Sequence, residues 1–346
     1  MPHEYLFFDD YSEGAHPRIL EALATTNVQQ ERGYGTDSFT QEAERLVKEK
    51  INKPQAHVHF VPGGTHANLI CLASMLQPFQ SVIAAETGHI NHHEAGAIEA
   101  TGHKINLVSP TAGKLTAESV EKVVMEHAGE HAVQPRVVYI SQATELGTVY
   151  RKNELEDLRH LCNQHNLLLY LDGARIGNAL AAKRADLHMS DIADLCDAMY
   201  IGGTKNGALC GEAIILVNQD LQENFRSHLK QRGALLAKGR ALGVQFMELF
   251  KDDLYMQNAM HANTAAQKLA DGIHACGYTF VHEPETNQIF PIFPNTVIES
   301  LQQRFGFYTW ASVDDTHSSV RLVTSWATPD RATEAFIERL NELSKK

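Results

Sequence analysis

Cysteine is scarce in this 346-residue chain and badly spaced for a scaffold. The five present, Cys71, Cys162, Cys196, Cys210 and Cys276, are odd in number and include no CxxC pair. They indicate neither a disulfide framework nor a zinc site and read as small core hydrophobes. Basic charge is also short: 30 Lys and Arg against 42 Asp and Glu leave a formal net charge of −12. That balance excludes a nucleic-acid partner, because a phosphate backbone is bound by a basic face that displaces counterions. No run approaches the roughly 18 apolar residues of a membrane helix. The opening MPHEYLFFDDYSEG has no basic start, long apolar stretch or small-residue cleavage site of a secretory signal. A cytoplasmic protein with no membrane partner is therefore expected. Walker and GxGxxG loops are missing too, which removes the P-loop NTPases and the nucleotide dehydrogenases.

What is present is ordinary globular composition, 43% hydrophobic and 21% charged, enough for one large domain and a smaller one. Between residues 55 and 217, short apolar runs alternate with helical patterns, the sequence form of repeated β-α units around a mostly parallel sheet. The spacing predicts strands at Ser81–Ala85, Lys104–Val108, Arg136–Ser141, Leu167–Leu171, Asp197–Ile201 and Ala213–Val217. Leu155, Leu158, Leu161 and Cys162 share one face at helical spacing, and Val120, Val123 and Val124 mark another helix. LLLYL is apolar on both faces, as a mid-sheet strand should be. Beyond Val217 long helices are expected, roughly Gln219–Lys230 and Ala241–Cys276. Apolar runs Gln288–Phe293 and Val320–Thr324 follow, and then a last helix from Thr328 with Pro329 in its first turn. The fold class is α/β.

In such sheets, ligands sit at the carboxyl ends of the strands, so the residues just after each apolar run carry the chemistry. Three such segments contain unusual groups. In PGGTHANL (Pro62–Leu69), two glycines and a threonine open a helix, whose free amides and hydroxyl suit a phosphate monoester. The same residues also make an ordinary capped turn. In LLLYLDGARIG (Leu167–Gly177), Asp172 ends an apolar strand, where a buried carboxylate is costly unless a cation meets it. A protonated pyridine nitrogen is one such cation, and Arg175 is another. In MYIGGTKNGALCG (Met199–Gly211), Lys205 occupies a glycine-rich turn, where desolvation and nearby cations lower an amine's pKa and free the neutral nucleophile. Taken in order, phosphate cup, carboxylate and amine are the three parts that pyridoxal phosphate requires.

At these residues the chain resembles the threonine aldolases and β-eliminating lyases of the fold-type I pyridoxal-phosphate enzymes. The matching segments are FDDYSEGAHP, YGTDSFT, PGGTHANL, GHINHHEAGA, SQATELGT, YLDGARIGNAL, GGTKNG and VRLVTSWAT. They look most like the bacterial low-specificity L-threonine and phenylserine aldolases. The resemblance implies a mostly parallel, seven-stranded-type sheet with helices on both faces and a small α+β C-terminal domain. With it come an N-terminal arm over 1–20, a large cofactor domain over 21–245 and the small domain over 246–346. It further implies pyridoxal 5'-phosphate as cofactor, an amino acid as substrate, and a homo-oligomer, a dimer of dimers whose sites are shared between subunits.

Carried over by position, Lys205 forms the Schiff base and Asp172 keeps the pyridine nitrogen protonated. Gly64 and Thr65 bind the phosphate, His89 stacks on the ring, and Arg175 with Arg321 holds the substrate carboxylate, with Asp9 beside them. Tyr34 and Arg240 match positions that reach into a neighbouring subunit's site, although Lys238 and Arg232 lie near enough to replace Arg240. One departure matters: Glu145 in QATELG stands where many threonine aldolases have a histidine, which leaves the base open between His89 and a water held by Glu145. The implied reaction is aldol cleavage of L-threonine, L-allo-threonine or phenylserine. A β-eliminating lyase or aminotransferase on the same scaffold, and a non-catalytic cofactor-binding module, remain the alternatives. His89, His92, His93 and Glu94 also invite a metal, but the spacing is not HExxH and no metal is expected.

Overall fold

The computed structural model describes residues 3–345. The chain enters on a two-residue strand, β1 (Tyr5–Leu6), and then lays down seven strands that join one sheet. These are β2 (His57–Val61), β3 (Gln80–Ala85), β4 (Lys104–Val108), β5 (Gln134–Ser141), β6 (Leu168–Asp172), β7 (Ala198–Gly202) and β8 (Glu212–Leu216), in the order β2-β8-β7-β6-β5-β3-β4. Strand β8 is antiparallel to both its neighbours, β7 and β2, whereas the remaining pairs are parallel. Every residue of β6, β7 and β8 is buried, because helices cover both faces of the sheet.

Alternation along each strand divides the core in two. In β5, Val137 and Tyr139 belong to one apolar cluster, and Val138 and Ile140 to the other. The first cluster is closed by helix Gly64–Met75 through Ala67, Ile70 and Cys71. Helix Lys152–Gln164 closes the second through Leu155, Leu158, Leu161 and Cys162, the face expected from their spacing. A core leucine such as Leu158 is worth roughly 2–5 kcal/mol against alanine in such packing.

Strand β2 escapes the sequence pattern. Its segment, HVHFV, alternates histidine with apolar residues, as a strand at the sheet's edge does, and contains no continuous apolar run. The two long helices expected after Val217 are each interrupted. Gln219–Gln222 is a single tight turn and the helix proper is Phe225–Gln231, with Asn224 left-handed at φ 57° between them. Arg240–Phe250 and Leu254–Ala275 are separated at Asp252 and Asp253, with φ of 54° and 59°. Asn and Asp enter the left-handed region more readily than other non-glycine residues, so helical periodicity runs past a break that their backbone makes.

The rest of the chain builds a smaller sheet from β9 (Thr279–Phe280), β10 (Gln288–Ile289), β11 (Pro291–Pro294), β13 (Tyr308–Ser312) and β14 (His317–Val323), while β12 (Phe305–Gly306) pairs in parallel with β1. The run Gln288–Phe293 is thus two strands, parted at Phe290. The last helix is Asp330–Ser344; Pro329 is its cap, with an extended ψ of 146°, so it starts two residues later than expected. Phe7, Leu269, Phe293, Phe305 and Phe336 fill the core between this sheet and its helices.

Candidate active site

Strands β2, β6 and β7 all end on one side of the large sheet. Pro62–Thr65, Asp172 and Lys205 therefore meet at a cavity of about 500 Å3. Gly64, Thr65, His89, Glu145, Asp172, Arg175, Lys205 and Arg321 all line it. Asp9, Tyr34 and Arg240 do not.

Helix Gly64–Met75 starts behind Gly63, which has no side chain to cap it, so its first amides stay free for an anion. A Cβ on Gly64 would stand 3.1 Å from the Tyr200 hydroxyl, a tight contact that would press on that phenol. Asp172 lies beneath. Its Oδ2 accepts from Tyr139 Oη at 2.6 Å and from Asn68 Nδ2 at 3.0 Å, and its Oδ1 accepts from the Ala174 amide at 3.0 Å. Burial alone would raise its pKa; His89, Tyr139, Tyr200 and Asn68 together outweigh burial and hold the carboxyl below its ordinary value. It is therefore an anion in a buried place.

Lys205 sits in the turn Thr204–Asn206. Burial and the Arg175 guanidinium lower its pKa, against the opposing pull of Asp10, Asp172 and Glu212. Glu212 opens β8, in register with Gly202 and Val61 at the ends of β7 and β2. Burial raises its carboxyl to about 7, although Thr204 and the Gly203 amide, which donates at 2.8 Å, pull the other way.

The two arginines are each held by a carboxylate from the N-terminal segment. Arg175 is forked by Asp10 at 2.7 and 3.1 Å, and Arg321 donates to Asp9 at 2.8 Å and to the Phe8 carbonyl at 2.9 Å. Asp9, expected at the substrate, is thus engaged by Arg321. Tyr308 and Trp310 both lie 5.3 Å from the Arg321 guanidinium, a further fix on its direction.

His89, also at the cavity, begins a single helical turn, His89–His92. Its Nδ1 is 2.8 Å from Glu94 Oε1, and its backbone amide donates to Glu145 Oε1 at 2.9 Å. That same Glu145 oxygen accepts from Ser141 Oγ at 2.7 Å, and burial raises the carboxyl's pKa. Among the described residues no group of three His, Cys, Asp or Glu side chains could hold a metal ion.

Tyr34 and Arg240 lie elsewhere. Tyr34 is 44% exposed, with Lys230 over its ring, and Arg240 donates to the Thr26 and Gln29 carbonyls. Site residues that the sequence reading passed over are Asp10, Asn68, Tyr139, Tyr200 and Glu212. A signal existed for the tyrosines: VVYIS, LLLYLD and AMYIG each place a hydroxyl inside an apolar strand, which is costly unless a polar partner waits there.

These residues fit pyridoxal phosphate. The free helix amides and Thr65 match its phosphate, Asp172 its ring nitrogen, and the Lys205 amine its aldehyde. Comparison with known proteins agrees. Residues 8–295 match the β-eliminating lyase family. A low-specificity L-threonine aldolase of Pseudomonas aeruginosa is 35% identical over 99% of this chain and 97% of its own. The structure of a threonine aldolase of Leishmania major superposes with a TM-score of 0.97 at 46% identity, covering 98% of this chain and 99% of that one. Aspartate aminotransferase of Thermus thermophilus, 14% identical with a TM-score of 0.71 over 99% of this chain and 91% of its own, shares the fold. The chain belongs to the β-eliminating lyase family of pyridoxal-phosphate enzymes and is similar along nearly its whole length to the threonine aldolases.

Proposed function

We propose that this chain cleaves β-hydroxy-α-amino acids to glycine and an aldehyde, with L-threonine, L-allo-threonine and phenylserine as the candidate substrates. One cavity joins an amine of lowered pKa, an ionised carboxylate and two guanidinium groups, and that conjunction carries the assignment. A module that merely bound the cofactor would need no pair of arginines to seat a second carboxylate.

Lys205 would hold the cofactor's aldehyde carbon, Asp172 its ring nitrogen, and Gly64 with Thr65 its phosphate. When bound, pyridoxal phosphate supplies an electron sink for the pair that joins Cα to Cβ. Arg321, with Arg175, takes the substrate carboxylate by a charge-assisted fork and so fixes rotation about the bond from Cα to nitrogen. His89 removes the proton from the β-hydroxyl as the Cα–Cβ bond breaks and the aldehyde leaves. A proton delivered to Cα completes glycine. Glu145 shares one oxygen between Ser141 and the His89 amide, which supports it as the residue that sets the His89 backbone.

Tyr34 and Arg240, turned away from this cavity, are read as contributions to the cavity of a neighbouring subunit in a homo-oligomer, a dimer of dimers. No helix of the described residues is long and apolar enough to cross a membrane, and we place the protein in the cytoplasm. The direct test incubates the purified protein with L-threonine, L-allo-threonine, phenylserine and their D forms. Glycine and aldehyde in equal amounts are expected; pyruvate with ammonia would make it a β-eliminating enzyme instead.

A further inference from the structure

We propose that Asn68 and Glu94 form a positioning clip that holds His89 as the Nδ1–H tautomer, so that Nε2 carries the lone pair offered to the cavity. The proposal rests on the reading of His89 as the group that takes the hydroxyl proton. Asn68 is fully buried in helix Gly64–Met75. Its Nδ2 lies 2.6 Å from Glu94 Oε1 and 3.0 Å from Asp172 Oδ2, and its Oδ1 accepts from Tyr170 Oη at 3.1 Å. Because Tyr170 and two carboxylates surround it, the orientation of this amide is determined. Its oxygen faces the phenol and its two N–H groups each face an acid.

Glu94 has no side-chain exposure, and Oε1 accepts from Asn68 and meets His89 Nδ1 at 2.8 Å. Oε1 already accepts from the Asn68 amide, so the imidazole nitrogen facing that same oxygen supplies the hydrogen between them. The second ring nitrogen, Nε2, has no hydrogen-bond partner among the described residues. Asn68 also ties the carboxylate that orients His89 to Asp172, the carboxylate assigned to the cofactor nitrogen. One buried amide therefore sets the spacing of both acids, and neither Asn68 nor Glu94 lines the cavity itself.

The variants separate charge from geometry. In Glu94→Gln, the amide oxygen can still accept from both Asn68 and His89, and the amide nitrogen replaces Oε2, which has no partner among the described residues. In Glu94→Ala the clip is gone. Holoenzyme labelled with 15N-histidine is examined by long-range proton–nitrogen correlation, with the His89 signals identified by their loss in His89→Asn. We expect a protonated Nδ1 and an unprotonated Nε2 in the native chain and in Glu94→Gln, and a tautomer mixture in Glu94→Ala. With L-threonine, kcat of Glu94→Ala should fall on the order of tenfold or more, and further than that of Glu94→Gln, while KM stays unchanged.

If Glu94→Ala does not fold, Asn68→Ala removes the donor that holds Glu94 Oε1 against His89 Nδ1, so the carboxyl is free to turn away from the ring and mixed tautomers should again appear. An unprotonated Nδ1 in the native enzyme would overturn the proposal, as would a single native-like tautomer in the alanine variants. The spectrum is read without any amino acid added. A fixed tautomer in a chain that releases no aldehyde would thus sink the proposed reaction and leave the clip standing.

Discussion

Asp10 and Arg175 form a fork on the cavity wall: Arg175 Nε lies 2.7 Å from Asp10 Oδ2, Nη2 lies 3.1 Å from Oδ1, and the side chain of Asp10 is 0% and that of Arg175 10% exposed. Asn287 adds a donor to Asp10 Oδ2 at 2.9 Å. The N-terminal segment and the small sheet thereby meet on the guanidinium that the large sheet presents to the cavity.

Removing one partner of such a pair strands the other charge in a buried place. Asp10→Ala should cost about 3–5 kcal/mol of stability, read from denaturant unfolding. It should also raise KM for the amino acid, because Arg175 loses the fork that aims it. A variant with native stability and native KM would show that the pair orients nothing.

Lys205→Ala should abolish turnover together with the yellow absorption of covalently held cofactor. Borohydride reduction and peptide mapping of the native protein should place the reduced adduct on Lys205. An adduct on another lysine would displace the whole assignment of the site.

His89 and Glu145 are separable by substitution. Since Glu145 Oε1 already serves the Ser141 hydroxyl and the His89 amide, Glu145→Gln keeps an oxygen for both and should leave kcat within about tenfold, with the pH–rate profile unaltered. His89→Asn should lose on the order of 10² to 10⁴ in kcat, the usual reach of general base catalysis. The opposite ranking would make Glu145 the base.

Glu212 makes the apoprotein's stability pH-dependent. In the folded chain its carboxyl keeps the proton to about 7, whereas the ordinary value is 4.5. Between those values the folded state binds the extra proton, so this group's contribution falls as pH rises through that window and levels off above it, by at most about 3 kcal/mol. Glu212→Gln removes the dependence. The Tm difference between that variant and the native apoprotein should therefore grow from about pH 4.5 to about pH 7, and a constant difference would contradict the burial argument.

If Arg240 serves a neighbouring subunit, two inactive chains should complement each other. Mixed oligomers of Lys205→Ala and Arg240→Ala contain some sites that draw the lysine from one chain and the arginine from the other, and activity should reappear on mixing under exchange conditions. Its absence, with exchange demonstrated, would confine the site to one subunit.

The strand runs and the helical face of Leu155, Leu158, Leu161 and Cys162 are legible in the sequence because a period of 2 or 3.6 is a local property. Asp172 and Lys205 are equally legible, since each follows an apolar run and the sheet must bring strand ends together, and Gly64 is legible from the glycine pair and threonine that open its helix. Less legible are the helix breaks at Asn224 and at Asp252 and Asp253, where a side-chain type that merely tolerates a left-handed backbone is asked to adopt it.

Sequence alone therefore determined the α/β class, the side of the sheet on which the cavity opens, and an amine and an acid that line it. Only the tertiary structure decided what holds those groups. Asp10 reaches Arg175 across 165 positions and Asn68 reaches Asp172 across 104, and no local period encodes a contact between segments so far apart. Such pairs form when packing removes water from both partners, because a buried charge then has to find its counterpart wherever the fold has brought one.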